Sequence, residues 1–458
     1  MTIKKTYSTP QKLLFILLGA LLMGMLWRIR GTHGWGSSWG LLNAGFLFTM
    51  FIVIICGERK KLSIGWLGIV SLVFMLTVPA WGTLLGQITG VLFDPTDFID
   101  FPGYTGETTV YCSVPSAIFI MLCLGFGLAS LFGIFLGACY SGKQWKVKDY
   151  VILLAAFFAT DLIAKATVSH LIIAIVQPEA AEIFEEGLKL TGIETGAWKT
   201  YLQHFDDTSW AKKLLGGRNY YAEVEMISFA IKSVVSLIVT RFVIKDKVAA
   251  KTGLVVCSAF AFSITISDLF FYFGNGGYHM LNENYFSDFI APWSCWEYFT
   301  GFIAGGIITA HMLSLKPEKD VYDKAFINTP KMVSDTLNFL LGYVALLGIS
   351  IVRPVLERFD EVDYQAIVTV AAVIAAIALV AVLTKKWGMT AQKTNMTTVC
   401  KTLLPIMVAF EFIVYMFVGC TTYPNYTAIN GLHTILVIIS TALLLIWSAL
   451  SYKRINTK

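Results

Sequence analysis

Two arginines and a histidine lie close together in a glycine-rich segment near the start of the chain. Arg28, Arg30 and His33 belong to the segment Trp27-Arg-Ile-Arg-Gly-Thr-His-Gly-Trp-Gly-Ser-Ser-Trp-Gly40. Guanidinium groups and exposed backbone N–H groups bind phosphate and carboxylate. The segment therefore predicts an anion site, in a re-entrant loop that lines a cavity. The alternative is an interfacial belt, with the tryptophans at headgroup depth and the arginines on lipid phosphates.

Eight more ionisable residues lie within or beside apolar runs of the sequence. A charge in the hydrocarbon region is costly, so such a residue is a functional candidate that is expected to face the interior of a helix bundle. These further candidate substrate-binding residues are Asp161, Lys165, His170, Lys232, Asp268, Glu297, Arg353 and Glu411. On the spans predicted below, most of them lie between the centre of the bilayer and its outer face, which predicts a polar cavity that opens outward.

Asp161, Lys165 and Ser169 recur at intervals of four residues and therefore share one face of a helix, on which Asp161 and Lys165 are close enough to pair. A buried ion pair is stable only when further polar groups surround it. The pair is either structural, fixing the register of two helices, or part of a path for substrate or protons. Lys232 and Glu411 lie at similar depth, where they could couple solute movement to protons or sodium.

Asp268 and Glu297 form a second acidic group, in the outer thirds of two adjacent predicted spans. They could bind a cation, receive a proton, or pair with Arg28, Arg30 or Arg353, and an internal salt bridge is the favoured interpretation. The aromatic residues around them would suit a sugar or a lipid headgroup, although anchoring at the membrane interface explains the same residues.

Long apolar helices must position these side chains. Of the 458 residues 56% are hydrophobic and 14% charged, whereas soluble domains carry roughly a quarter charged residues. The mean hydropathy is +0.68, and apolar runs of about twenty residues, long enough to cross a bilayer as helices, recur along the chain. We expect an all-α integral membrane protein, a polytopic bundle forming a single transmembrane domain over residues 1–458.

About twelve transmembrane helices are predicted. They lie near residues 12–28, 40–57, 64–92, 115–140, 150–176, 223–244, 252–274, 291–315, 336–356, 364–384, 401–420 and 429–451. The long connection 177–222 is predicted to be an extracytoplasmic amphipathic loop. Small residues at four-residue spacing, such as Gly133 with Gly137 and Gly301 with Gly305, indicate close contacts between helices.

The distribution of Lys and Arg predicts the orientation of the spans. With the N-terminus in the cytoplasm, the inner connections contain 23 of the 35 Lys and Arg residues, as expected for loops retained inside. Both termini are therefore predicted to be cytoplasmic, in a bacterial plasma (inner) membrane. The net charge of +5 reflects this topology, so we expect the lipid bilayer, and not nucleic acid, as the partner.

Cofactor and metal motifs are missing from the sequence. The eight cysteines show no C-x-x-C spacing, which argues against a metal or disulfide framework. Cys112 and Cys420 both fall in predicted outer loops, where they could form a bridge or serve as small apolar fillers. The sequence also contains no Walker A loop, dinucleotide fingerprint, H-E-x-x-H or nucleophile elbow, which argues against ATP-driven transport by this chain alone.

Three functions fit this pattern. The favoured one is a secondary transporter for an anionic or polar solute or a lipid-linked headgroup. The second is a membrane-embedded transferase or hydrolase acting on an outer-leaflet lipid or glycan precursor, with His33 as general base and Arg28 and Arg30 on phosphate. The third is a non-catalytic subunit of a membrane complex, which would not need buried charges.

Overall fold

The protein is built from helices. Its structure, a computed structural model, describes residues 7–32, 38–57, 59, 62, 64–75, 97–98, 109–110, 114–178, 181–182, 220–270, 289–290, 292–315, 396–421 and 431–456. The first helices are α1 (Thr9–Thr32), α2 (Ser38–Cys56), α3 (Ile64–Met75), α4 (Val114–Leu128), α5 (Ser130–Tyr140) and α6 (Val147–Ile163). The later ones are α7 (Ser169–Val176), α8 (Tyr220–Ile238), α9 (Lys247–Ser267), α10 (Pro292–Ser314), α11 (Met396–Thr421) and α12 (Leu432–Asn456).

Two π-helical turns and two short strands also occur in the described ranges. Single π-helical turns extend α6, over Ala164–Val168, and α8, over Val239–Val243. Strands β1 (Asp97–Phe98) and β2 (Thr109–Val110) pair antiparallel, with Asp97 opposite Val110. Strands of two residues each leave the structure all-helical in class, as predicted.

Six helices in the described ranges are long and apolar enough to cross a membrane, or seven if the bent pair α4 and α5 is one span. The six are Thr9–Arg30, Val147–Val176, Glu223–Val243, Lys247–Ser267, Met396–Ile413 and Leu432–Ser451. Within each helix the backbone N–H and C=O groups pair with one another, as the interior of a bilayer requires. The chain is therefore a helical integral membrane protein.

Most predicted spans coincide with described helices. The predicted spans near 12–28, 150–176, 223–244, 252–274, 401–420 and 429–451 each match one of the six. The spans near 40–57 and 291–315 match α2 and α10, and the span near 64–92 begins with α3. Some predictions fall outside the described residues. They are the spans 336–356 and 364–384, most of the loop 177–222, and the side chains of Cys112 and Cys420. The number of spans and the cytoplasmic position of the termini stay predictions.

The predicted span 115–140 matches the pair α4 and α5, which is bent in the structure and together can form one span. The chain leaves helical geometry at Ala129, where φ is −125° and ψ is 19°, and α4 and α5 meet at an angle of 42°. Glycines on both sides of this break approach α9 closely: a Cβ atom at Gly125 would lie 2.5 Å from the Phe260 carbonyl oxygen, and one at Gly133 would lie 2.9 Å from the Gly253 Cα atom. The bend keeps both halves against α9.

Glycines also line the contact between α1 and α10, the most extensive helix contact described. A Cβ atom added at Gly305 would lie 2.5 Å from the carbonyl oxygen of Gly19 and 2.5 Å from the Cβ atom of Met23. Gly301, one turn earlier, faces the backbone of Met23 in the same way. The close contact predicted from the spacing of Gly301 and Gly305 is confirmed, and it determines where the end of α1 meets the start of α10.

Replacing Gly305 by alanine is expected to lower the free energy of unfolding by about 1–3 kcal/mol. The added methyl group meets a backbone oxygen of α1, which cannot turn aside as a side chain can. Gly306→Ala is the matched control, because its Cβ atom would lie 3.5 Å from the nearest atom, in Ala20, and alanine favours helix. SDS denaturation of the purified protein in bicelles measures both variants. Equal losses at the two positions would show that α1 and α10 do not pack through Gly305.

Asp246 connects two loops at the predicted inner end of the bundle. Its carboxylate accepts hydrogen bonds from the Ser141 hydroxyl at 2.6 Å and from the Trp145 indole N–H at 2.9 Å. It also accepts the backbone N–H of Ala249 at 2.9 Å, as the N-cap of α9. The connection between α5 and α6 is thereby fixed to the start of α9.

Candidate functional site

The first candidate site lies where the end of α1 meets the start of α10. Arg28 Nη1 donates a hydrogen bond to Glu297 Oε2 over 2.7 Å, and Arg30 Nη2 lies 3.5 Å from Glu297 Oε1. The side chains of Arg28 and Arg30 are 5% and 3% exposed. We name Arg28, Arg30 and Glu297 the arginine site. Two guanidinium groups that converge on one carboxylate are arranged as they would be to bind an anion.

Aromatic side chains lie beside both arginines. The guanidinium carbon of Arg30 lies 4.6 Å from the ring centroid of Trp27, and that of Arg28 lies 6.0 Å from the ring centroid of Tyr415 on α11. The Tyr415 hydroxyl is in turn 3.3 Å from Thr434 Oγ1 on α12. A guanidinium group at such a distance is attracted to the face of an aromatic ring. The arginine site therefore depends on α1, α10, α11 and α12 together.

Deeper in the same group of helices, α11 contributes a buried carboxyl group. Glu411 is 1% exposed and accepts a hydrogen bond from the Asn43 side-chain amide of α2 over 2.8 Å. Glu411 lies one helical turn before Tyr415, so both side chains share a face of α11. We name Glu411 and Asn43 the carboxyl–amide pair.

A second set of charges connects α6 to α8. Lys165 lies 2.7 Å from Glu225 and 3.3 Å from Asp161, and Lys232 lies 3.0 Å from Asp161. The Ser228 hydroxyl donates to Asp161 Oδ1 over 2.7 Å. We name Glu225, Lys165, Asp161 and Lys232 the four-charge chain, since their charges alternate in that order. The predicted pairing of Asp161 with Lys165 is confirmed.

The local backbone and nearby aromatic residues position the two lysines of the four-charge chain. Lys165 belongs to the π-helical turn Ala164–Val168, where the backbone departs from the α-helical repeat, as is frequent at functional sites. The Lys232 ammonium lies 3.5 Å from the ring centroid of Phe229 and 4.5 Å from that of Phe157. An apolar and aromatic setting of this kind strengthens each charge–charge contact, because little water screens it.

No known protein family matches this chain. No curated protein and no solved structure matches it either. A bundle of membrane helices serves many functions, so the function depends on the geometry and charge of the sites themselves.

Nine of the eleven candidate residues fall in the described part of the chain, and two do not. The nine are Arg28, Arg30, Asp161, Lys165, His170, Lys232, Asp268, Glu297 and Glu411, whereas His33 and Arg353 lie outside it. The structure separates most of the nine into the arginine site, the carboxyl–amide pair and the four-charge chain. His170 is half-buried in α7, beside the backbone of Lys165, and Asp268 is buried where α9 ends. The salt bridge favoured for Glu297 is confirmed.

Four contributing side chains were missing from the predicted set, namely Asn43, Glu225, Ser228 and Tyr415. The spacing offered a signal for three of them. Glu225 and Ser228 share a face of α8 with Lys232, and Tyr415 follows Glu411 by four residues. Asn43 offered no such spacing, because its partner Glu411 is 368 residues away in sequence; its signal was a polar side chain within the apolar run 40–57.

Proposed function

We propose that this protein is a secondary transporter for an anionic solute and that Arg28 and Arg30 bind the anion. One observation carries the proposal: two nearly buried guanidinium groups from one turn of α1 converge on a single carboxylate, Glu297, at 2.7 and 3.5 Å. Burying a cation in a bilayer is costly, so paired arginines at this depth favour a functional role. The position of the Glu297 carboxylate is the position that an anionic solute would take.

The solute is a compact anion of the carboxylate, phosphate or sulfate type. Guanidinium groups bind such oxyanions through two parallel N–H···O bonds. A free anion and the headgroup of a phospholipid share this chemistry, so the experiment must separate them.

Uptake into proteoliposomes tests the proposal. Radiolabelled sulfate, inorganic phosphate and succinate are offered as free anions, and dihexanoyl phosphatidic acid is offered as a competitor that carries a lipid headgroup. We expect uptake above that of protein-free liposomes, reduced about 10- to 100-fold by Arg30→Gln because a charge-assisted hydrogen bond is lost. Competition at low concentration by the lipid alone would assign the site to a headgroup.

Arg241→Gln is the matched control for this experiment. It removes the same side chain from an exposed position in the π-helical turn Val239–Val243, so uptake should equal that of the wild type. Arg30→Lys keeps the charge but loses the planar fork, and it should bind the anion more weakly than the wild type. Wild-type liposomes that move none of the three free anions, under any imposed gradient, would overturn the proposal.

A further inference from the structure

Glu411 differs from three other carboxylates of the described helices, each of which pairs with a cation. Asp161, Glu225 and Glu297 each have a lysine or arginine within 3.3 Å. Across the described residues, no lysine, arginine or histidine nitrogen comes within 4.0 Å of the Glu411 carboxylate. Its described hydrogen-bond partner is the neutral amide of Asn43, at 2.8 Å. A buried carboxylate that lacks a cation is strongly disfavoured, and a proton on the group removes that cost.

The helices packed against α11 bring few titratable groups toward Glu411. These helices are chiefly α1, α2 and α12. No acidic or basic residue occurs in α2, and the basic residues of α1 near this end are Arg28 and Arg30 of the arginine site. The titratable group of α12 at the same end is His433, which is buried. On α11 itself the neighbouring titratable group is Tyr415, one turn away.

Tyr415 connects Glu411 to the arginine site. Its ring lies beside the Arg28 guanidinium at 6.0 Å, and its hydroxyl reaches Thr434 at 3.3 Å. A movement of α11 that alters the contact of Tyr415 with Arg28 therefore also moves Glu411 relative to Asn43. An ionised Glu411 would add a second buried negative charge near a bound anion, so a proton on Glu411 favours anion binding.

We propose that Glu411 binds the proton that travels with the anion, an inference that rests on the proposed function. The proton comes from water on the side where the anion enters and binds Oε2, since Oε1 accepts the Asn43 amide. The carboxylate thereby becomes a neutral carboxylic acid, and it releases the same proton to water on the opposite side. On binding, an O–H bond of a hydronium ion breaks as the Oε2–H bond forms; on release the reverse occurs, and nothing is oxidised or reduced.

Sulfate is the probe for this coupling, because it takes up no proton near neutral pH. In proteoliposomes the wild type should accumulate sulfate when the proton gradient points inward and should also exchange internal for external sulfate without a gradient. Glu411→Gln imitates the protonated acid and can still accept the Asn43 amide, so it should keep exchange but lose gradient-driven accumulation. Accumulation that persists in Glu411→Gln, or exchange that disappears with it, would overturn the proposal.

Glu223→Gln is the matched control for Glu411→Gln. Glu223 is also a 1% exposed carboxyl group that accepts a side-chain amide, that of Gln177 at 2.7 Å, but it lies on α8. Its substitution should leave both exchange and accumulation unchanged. If Glu223→Gln uncoupled accumulation in the same way, Glu411 would have no special role.

Infrared difference spectroscopy tests the proton on Glu411 without any solute. The wild type at neutral pH should show the C=O stretching band of a protonated carboxyl group that Glu411→Gln lacks. A wild type that transports no anion but shows this band would overturn the proposed function and leave the proton on Glu411 established. A wild type that exchanges sulfate but lacks the band would overturn the inference alone.

Discussion

Replacing Asp161 by asparagine is expected to lower the free energy of unfolding by about 3–5 kcal/mol. Asp161 is the anion between two cations, with Lys165 at 3.3 Å and Lys232 at 3.0 Å. Lys232 is 3% exposed, so the substitution leaves its ammonium group buried without that carboxylate. SDS denaturation of the purified protein in bicelles measures the loss.

A double variant separates the charge from the packing. Asp161→Asn combined with Lys232→Met removes both members of the ion pair, and the methionine remains beside the Phe157 and Phe229 rings. Removing both charges of a buried ion pair costs much less than removing one and leaving the other unpaired, so most of the lost stability should return. Ser228→Ala removes only a hydrogen bond to Asp161 and should cost about 1 kcal/mol. An Asp161→Asn variant as stable as the wild type would show that the pair contributes nothing.

The same double variant tests whether the four-charge chain is structural or forms part of a path for substrate or protons. Its two cations and two anions balance, and each charge lies within 3.3 Å of an opposite one. Each charge is therefore already neutralised without a solute or a transported proton. We therefore expect the double variant to transport sulfate as the wild type does, because the four-charge chain fixes α6 against α8.

Much of the helical architecture could be predicted from the sequence because a bilayer constrains it so strongly. Apolar runs near 150–176 and 223–244 must be helices, since no other open structure pairs its backbone groups in lipid. The spacing of Gly301 and Gly305 predicted a close contact for the same local reason. The cost of burying charge also predicted that Asp161, Glu297 and Glu411 would face protein neighbours.

The partners of those charges could not be predicted, because they depend on which helices become neighbours. Glu297 contacts Arg28 across 269 positions and Glu411 contacts Asn43 across 368, separations that no local pattern reports. The break at Ala129 likewise depends on α9, against which both halves of the predicted span pack. The π-helical turn at Lys165 has no signature in the spacing of apolar residues.

Glu297 gives the arginine site two properties that oppose one another. Its carboxylate neutralises part of the buried positive charge and so stabilises the fold. It also takes the place that the proposed solute needs, which weakens solute binding. Binding sites are commonly less stable than they could be, because groups that would stabilise the free site also compete with the ligand.

Replacing Glu297 by glutamine is therefore expected to lower the free energy of unfolding by about 3–5 kcal/mol while tightening sulfate binding by about tenfold or more. The fold loses the carboxylate that lies 2.7 Å from Arg28. Sulfate no longer competes with that carboxylate for Arg28 and Arg30, and it should bind in its place. At about one hundred times its dissociation constant it should return about 2.7 kcal/mol of stability, measured by SDS denaturation with and without sulfate.

The double variant Glu297→Gln with Arg30→Gln tests whether the returned stability comes from the arginine site. It removes one cation along with the carboxylate, so it should be more stable than Glu297→Gln alone. It should also gain little from added sulfate, because Arg30 is no longer there to bind it. If sulfate stabilised the wild type, Glu297→Gln and the double variant by equal amounts, the anion would be bound elsewhere, and Glu297 would serve only to neutralise Arg28 and Arg30.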